Sequence, residues 1–196
     1  MATTAESRWD ALVRDEVVQE GHFLLASNRH SSLFIDARKS PQWLKDQAYE
    51  AIRARYQGVL VHAMAGVPYG ADHFVDYIAP MLPSGATPDG RVRAIKLTKE
   101  VDGHIFVPSY GVEIGFGTRF IVLEDVMTSA GSIERTCQAL KNVGAEVVGR
   151  FAVFNRSPID GLAETKGINY LVRRKVEDYE PSECPQCAQG IPLEKA

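Results

Sequence analysis

The hydrophobic pattern of this chain switches repeatedly between helix-like spacing and short, wholly apolar runs, and that alternation restricts the fold more than any other feature. Pro41 to Tyr56 place Trp43, Leu44, Ala48, Ile52 and Tyr56 on one helical face, and Gly58 to Met64 then read as a buried strand. The same spacing predicts a helix over Ala71 to Ala79, strands over Val92 to Leu97 and Arg119 to Leu123, a helix over Ser132 to Val143 and a strand over Glu146 to Phe154. Strands that are apolar at every position are buried on both faces, and helical crossovers between them make a parallel sheet. The expected architecture is α/β, a mostly parallel central sheet flanked by helices, with ligands beyond the carboxyl ends of the strands. Ahead of it, Trp9, Leu12, Val13 and Val17 predict a helix that Gly21 stops, and Phe23 to Asn28 with Ser32 to Asp36 predict a small hairpin. Pro80 to Gly90 reads as a surface loop, and residues 98–117, with four glycines, as a long mobile loop or a hairpin.

Charge and composition narrow the function. The 196 residues suit one domain, and 22 Lys+Arg against 25 Asp+Glu leave a net −3. Such a balance lacks the concentrated basic surface of a nonspecific nucleic-acid binder, so no nucleic-acid partner is expected. The apolar runs are too short for a membrane span, the first residues lack the pattern of a signal peptide, and three cysteines do not make a disulfide framework. A cytoplasmic protein without membrane contact is the expectation.

The chemistry concentrates in Phe120 to Ser132, where an apolar strand ends in Glu124 and Asp125 and a turn rich in hydroxyls opens an amphipathic helix. Backbone N–H groups at a helix N-terminus point at an anion, and Thr128, Ser129 and Ser132 add hydroxyl donors around Ala130 and Gly131. Glu124 and Asp125 suit ribose hydroxyls, or Mg²⁺ approached directly or through its water shell. The plainer reading is a strand end followed by an ordinary capped helix.

Glu124-Asp-Val-Met-Thr-Ser-Ala-Gly-Ser132 resembles the signature of the type I phosphoribosyltransferases, and the likeness within that group is to the orotate-specific members. Four other segments agree in order and spacing: Phe23 to Arg38 resembles the family's hood, Ala65 to Gly70 its pyrophosphate loop, Leu97 to Glu100 the start of its catalytic loop, and Phe154 to Arg156 the strand end that holds the base. The resemblance implies one domain over 1–196, with the N-terminal helix and hood in 1–40, the core in 41–175 and a tail in 176–196. It implies phosphoribosyl transfer from 5-phosphoribosyl 1-pyrophosphate (PRPP) to orotate, with Mg²⁺ as cofactor, in a homodimer that shares the mobile loop. Lys99, His104 and Asp125 would be catalytic. Tyr69, Glu124, Asp125, Thr128, Ser129, Ala130, Gly131 and Ser132 would bind PRPP, and Phe34, Thr128 and Arg156 would bind orotate. Arg38 suits phosphate contact or a surface salt bridge, Phe34 core packing as well as stacking, and Arg156 a surface turn as well as an anion. The rivals are transfer to another nucleobase and a noncatalytic PRPP-binding regulator.

The chain departs from the family pattern in three places. Lys99 to His104 is sparser in basic residues than many bacterial loops, Tyr69 stands where some members have Lys, and Ala130 replaces a usual Gly. Outside these motifs, Cys184-Pro-Gln-Cys187 has the spacing of half a zinc site with no second Cys or His pair nearby in the sequence, so a reduced, inert turn is the expectation. His62 and His73 have no ligand-like spacing, and Cys137 falls on the inner face of its helix.

Overall fold

A computed structural model describes residues 5–25, 27–99, 106–108, 114 and 116–195. Helix α1 (Ala5–Arg14) leads into an antiparallel hairpin, β1 (Val18–Leu24) and β2 (His30–Ile35). Gly21 therefore lies inside a strand and does not stop the helix. The chain reverses at Glu16, which takes a left-handed φ of 56°. Phe23 explains the glycine instead, since a Cβ at Gly21 would stand 2.9 Å from its ring.

The core follows. Helix α2 (Gln42–Arg55) starts after Pro41, which fixes φ where no donor is needed, and buries Leu44, Ala48 and Ile52. Then come β3 (Ala63–Gly66), α3 (Asp72–Ile78), β4 (Arg93–Ile95), β5 (Leu97–Lys99) and β6 (Phe106–Pro108). Next are β7 (Arg119–Met127), α4 (Gly131–Asn142), β8 (Glu146–Asn155), α5 (Leu162–Thr165) and β9 (Asn169–Arg173). The tail holds β10 (Asp178–Tyr179), α6 (Pro185–Ala188) and β11 (Glu194–Lys195). The strand foreseen from Gly58 starts later, at Ala63, because Gly58 turns the chain with φ 78°. Residues 98–117 do contain a hairpin, with Lys99 paired to Phe106.

The central sheet has the order β4-β3-β7-β8-β9, and every pair is parallel. In β7, Ile121 and Leu123 join the core under α2 and α3, while Phe120 and Val122 join the separate core under α4. That two-sided burial is why the strand is apolar throughout. The hood sheet has the order β10-β2-β1-β11, so its two outer strands come from the tail. From β3 the chain crosses to β4 on one side, and from β7 to β8 on the other. The gap between β3 and β7 is thus a switch point, where such sheets open a crevice for ligands.

Candidate active site

A cleft of about 880 Å³ opens over that switch point, between the carboxyl ends of the core strands and the hood. Phe34, Tyr69, Asp125, Thr128, Ser129 and Ser132 line it, with Arg156 at the hood side. Lys99 sits at the end of β5, with only its backbone described, and His104 lies outside the described residues.

Two loops frame the crevice. The β3–α3 loop holds Tyr69 at φ 74°, and the β7–α4 turn holds Ala130 at φ 64°. Left-handed backbone in residues with a Cβ costs roughly 1 kcal/mol or more, and such outliers concentrate where a ligand dictates backbone shape. Ala130 thus adopts the conformation for which glycine is the usual choice, with its methyl buried against the α4 core. Helix α4 begins with no side-chain cap, so the N–H groups of its first turn are open to an anion.

The two carboxylates differ in surroundings. Asp125 lines the cleft beside the β3–α3 loop, where a Cβ on Gly70 would stand 2.5 Å from Asp125 Oδ1 and 2.6 Å from its Cγ. Only glycine lets that loop close over the carboxylate. Glu124 is 7% exposed and does not line the cleft. Burial holds its carboxyl well above the usual carboxylate range, Asp125 adds to this, and Arg135 opposes it. Burial raises Asp125 as well. A pair that resists ionisation on its own gains most from a nearby cation or hydroxyl donors.

Arg156 follows β8 and is 3% exposed. Its Nη2 donates to Ser31 Oγ at 2.6 Å and its Nη1 to the Leu33 carbonyl at 3.1 Å, while Nε has no partner. A buried guanidinium with neutral bonding partners favours an incoming anion, and its burial lowers its pKa. Phe34 is half-buried on Phe23, ring centres 5.7 Å apart, and still reaches the cleft. Arg38 is committed to Asp36 through Nε at 2.7 Å and Nη2 at 3.0 Å.

Three residues that serve the cleft went unread in the sequence. Ser31 tethers Arg156 across 125 positions, which leaves no local signal. Gly70 matters through a contact made only in the fold. Arg135, which lines the cleft and donates to Ser132 Oγ at 3.2 Å, stands three residues along the same helix, a spacing that could have found it.

Switch-point crevice, hood, left-handed turn and uncapped helix together define the type I phosphoribosyltransferase fold, and the solved structures agree. Orotate phosphoribosyltransferase from Aeropyrum pernix superposes with a TM-score of 0.61 at 21% identity, over 84% of this chain and 92% of that one. Leishmania donovani UMP synthase gives 0.64 at 21% identity over 88% of this chain, which spans 36% of that longer protein. No protein-family model matches. In sequence, the chain is similar to the orotate phosphoribosyltransferase of Caldanaerobacter subterraneus subsp. tengcongensis, 29% identical over 184 residues, 92% of this chain and 90% of that one. The orotate phosphoribosyltransferase likeness first carried by five motifs therefore extends over nine-tenths of the chain.

Proposed function

We propose that the protein transfers the phosphoribosyl group of PRPP to orotate, giving orotidine 5′-monophosphate and pyrophosphate, as a cytoplasmic homodimer in pyrimidine biosynthesis. The observation that carries the choice of base is Arg156, a buried cation at the cleft with neutral bonding partners and an unpaired Nε. Orotate brings the carboxylate such a group lacks, whereas a purine or uracil brings none. In line with this location, no described helix is long and apolar enough to cross a membrane.

The 5′-phosphate would sit on the N–H groups of the α4 first turn and the hydroxyls of Thr128, Ser129 and Ser132. Asp125, which lines the cleft, would accept from the ribose hydroxyls, with Glu124 buried next to it in the strand, and the β3–α3 loop at Tyr69 would cradle the pyrophosphate. Phe34 would pack on the flat base. Asp125 fits a hard divalent cation, being a cleft-facing carboxylate whose burial disfavours its charge. Mg²⁺ held there, directly or through water, would neutralise charge on the pyrophosphate. Lys99 and His104 would cover the leaving group and exclude water.

The test mixes protein, Mg²⁺, PRPP and orotate and follows orotate absorbance. Consumption of orotate with release of pyrophosphate is expected, and no loss at high enzyme concentration overturns the reading. A parallel panel of adenine, hypoxanthine, xanthine and uracil tests the base. Preference for any of these over orotate would reject the role given to Arg156.

A further inference from the structure

We propose that His22, His30, Cys184 and Cys187 bind one zinc ion, a structural site that fastens the tail of the chain to the hood. The Cys-Pro-Gln-Cys turn is not alone in space. The fold brings two histidines against both sulfurs, and one ligand atom from each of the four residues lies within 4.8 Å of all the others. His22 Nε2 is 3.1 Å from His30 Nδ1, 3.4 Å from Cys184 Sγ and 3.7 Å from Cys187 Sγ, and His30 Nδ1 is 3.3 Å from Cys187 Sγ. Tetrahedral zinc with bonds of about 2.3 Å to sulfur and about 2.0–2.1 Å to nitrogen requires ligand separations of roughly 3.3–3.8 Å. The 3.3, 3.4 and 3.7 Å separations fall in that range, and the 3.1 Å between the two histidine nitrogens is just short of it.

The groups around the cluster support the assignment. His22 Nδ1 lies 2.8 Å from the Ile191 carbonyl, which only accepts, so Nδ1 carries the proton and Nε2 turns its lone pair inward. This is the carbonyl-anchored histidine common at metal sites. The β1–β2 register shifts between Glu20 and Phe23, and the irregularity lets His22 and Phe23 both turn inward. On the other side, Gln186 donates to the Gly21 carbonyl at 2.9 Å and holds the Cys turn on the hairpin. His22, His30 and Cys184 are buried, at 1%, 5% and 3% exposure. With His22 Nε2 unprotonated, the four atoms share at most three hydrogens, two of them on weak thiol donors. A zinc ion satisfies all four, and two thiolates cancel its charge. Two sulfurs and two imidazole nitrogens select zinc over Mg²⁺ or Ca²⁺, and four protein ligands leave no position for substrate, so the role is structural.

The site also accounts for a weakness in the hood. Its outer strands β10 and β11 are two residues long each, too short to hold by pairing alone. The Cys turn lies between them in the chain, and a metal bond from it to β1 and β2 secures both.

The inference is independent of the proposed reaction and is tested on the full chain, purified under reducing conditions from cells supplied with zinc. Elemental analysis should find one zinc per chain, retained through gel filtration. Replacing the metal with Co²⁺ should give the visible absorption of a tetrahedral site together with thiolate-to-cobalt charge transfer. Cys187→Ser, at the exposed corner, and Cys184→Ser should each lose the zinc and the charge-transfer bands. Zinc below about a tenth per chain with no tetrahedral cobalt spectrum would overturn the proposal, a result read on the unmodified chain and free of any folding defect. Full zinc retention in the Cys184→Ser/Cys187→Ser double variant, or a Cys184–Cys187 disulfide under these conditions, would overturn it as well.

Discussion

Replacing Gly70 by Ala puts a methyl group where the Asp125 carboxylate already sits. An ideal Cβ there stands 2.5 Å from Oδ1 and 2.6 Å from Cγ, while ordinary contact begins at 3.4 Å. The two groups must therefore separate by about 1 Å, beyond what close packing absorbs without movement. Asp125 lies in β7 between two residues paired to β8, Glu124 with Ala152 and Val126 with Phe154, so the strand does not yield. The carboxylate turns aside or the loop lifts, and either misaligns the groups that would meet the ribose and pyrophosphate. A misplacement of about 1 Å costs on the order of 10²-fold in rate, about 2.7 kcal/mol at the transition state. Steady-state kinetics following orotate absorbance should show kcat/KM reduced by about that factor, with overpacking lowering stability by about 1–3 kcal/mol. The decisive measurement is a double-mutant cycle with Asp125→Ala, which removes the atoms that the new methyl would strike. If Gly70 acts through the carboxylate, adding Gly70→Ala to the Asp125→Ala variant costs less than about threefold. The same loss in both backgrounds, or wild-type kcat/KM in Gly70→Ala, would refute the reasoning.

Arg156→Lys removes the fork that donates to Ser31 Oγ and the Leu33 carbonyl. It should raise the KM for orotate by about 10–100-fold with little change in the KM for PRPP, measured by varying each substrate in turn. Glu124→Gln tests the buried carboxyl. Its pKa is raised on folding, so the native chain binds the proton more tightly than the unfolded one. Wild-type stability is then full below the ordinary carboxylate pKa of about 4.3 and falls by up to about 1.4 kcal/mol per pH unit up to the raised value. Denaturant melts of the ligand-free protein should show the Gln variant gaining on the wild type as pH rises through that window. Curves that stay parallel contradict the burial cost. Lys99→Ala should lower kcat by about 10²–10⁴-fold while PRPP affinity, measured by calorimetry, shifts only severalfold. Equal losses in both would remove Lys99 from the chemical step.

What could be read from sequence was local. Residues 120–123 are apolar because each face of β7 packs on a different core, and that run alone marks a central parallel strand. The turn from Glu124 to Ser132 is contiguous, so its chemistry is visible without the fold. The hood was only half legible, because β10 and β11 are two residues each and carry no period. Gly21 misled for a related reason: a glycine after a helical run is a common stop, and only the fold reveals the Phe23 ring packed where its side chain would be. The partners of the two tail cysteines were invisible, since His22 lies 162 positions before Cys184 and spacing rules operate over a few residues.

On the proposed reading, the distribution of cations explains how a chain of net −3 would receive a polyanion. Near the cleft, Arg38 is held by Asp36, and Arg29 by Asp178 and Glu180. Those pairs stiffen the hood but give up much of their attraction for a ligand. Arg156 differs: its bonded partners are neutral, Asp178 acts on it only through space, and its burial keeps water from screening its charge. On the same reading, the phosphate end of the cleft would combine the backbone N–H groups of α4 with Arg135, which lines the cleft and donates to Ser132 Oγ. Selectivity is thereby separated from affinity. In the proposed reaction, the helix terminus and hydroxyls would accept a phosphorylated sugar, while the buried Arg156 guanidinium would meet a carboxylate on the base. Because Ser31 and Leu33 hold that guanidinium from β2, and His30 of the same strand belongs to the Cys/His cluster, the hood sheet that the chain's tail completes would, on the proposed reading, also set where the base is read.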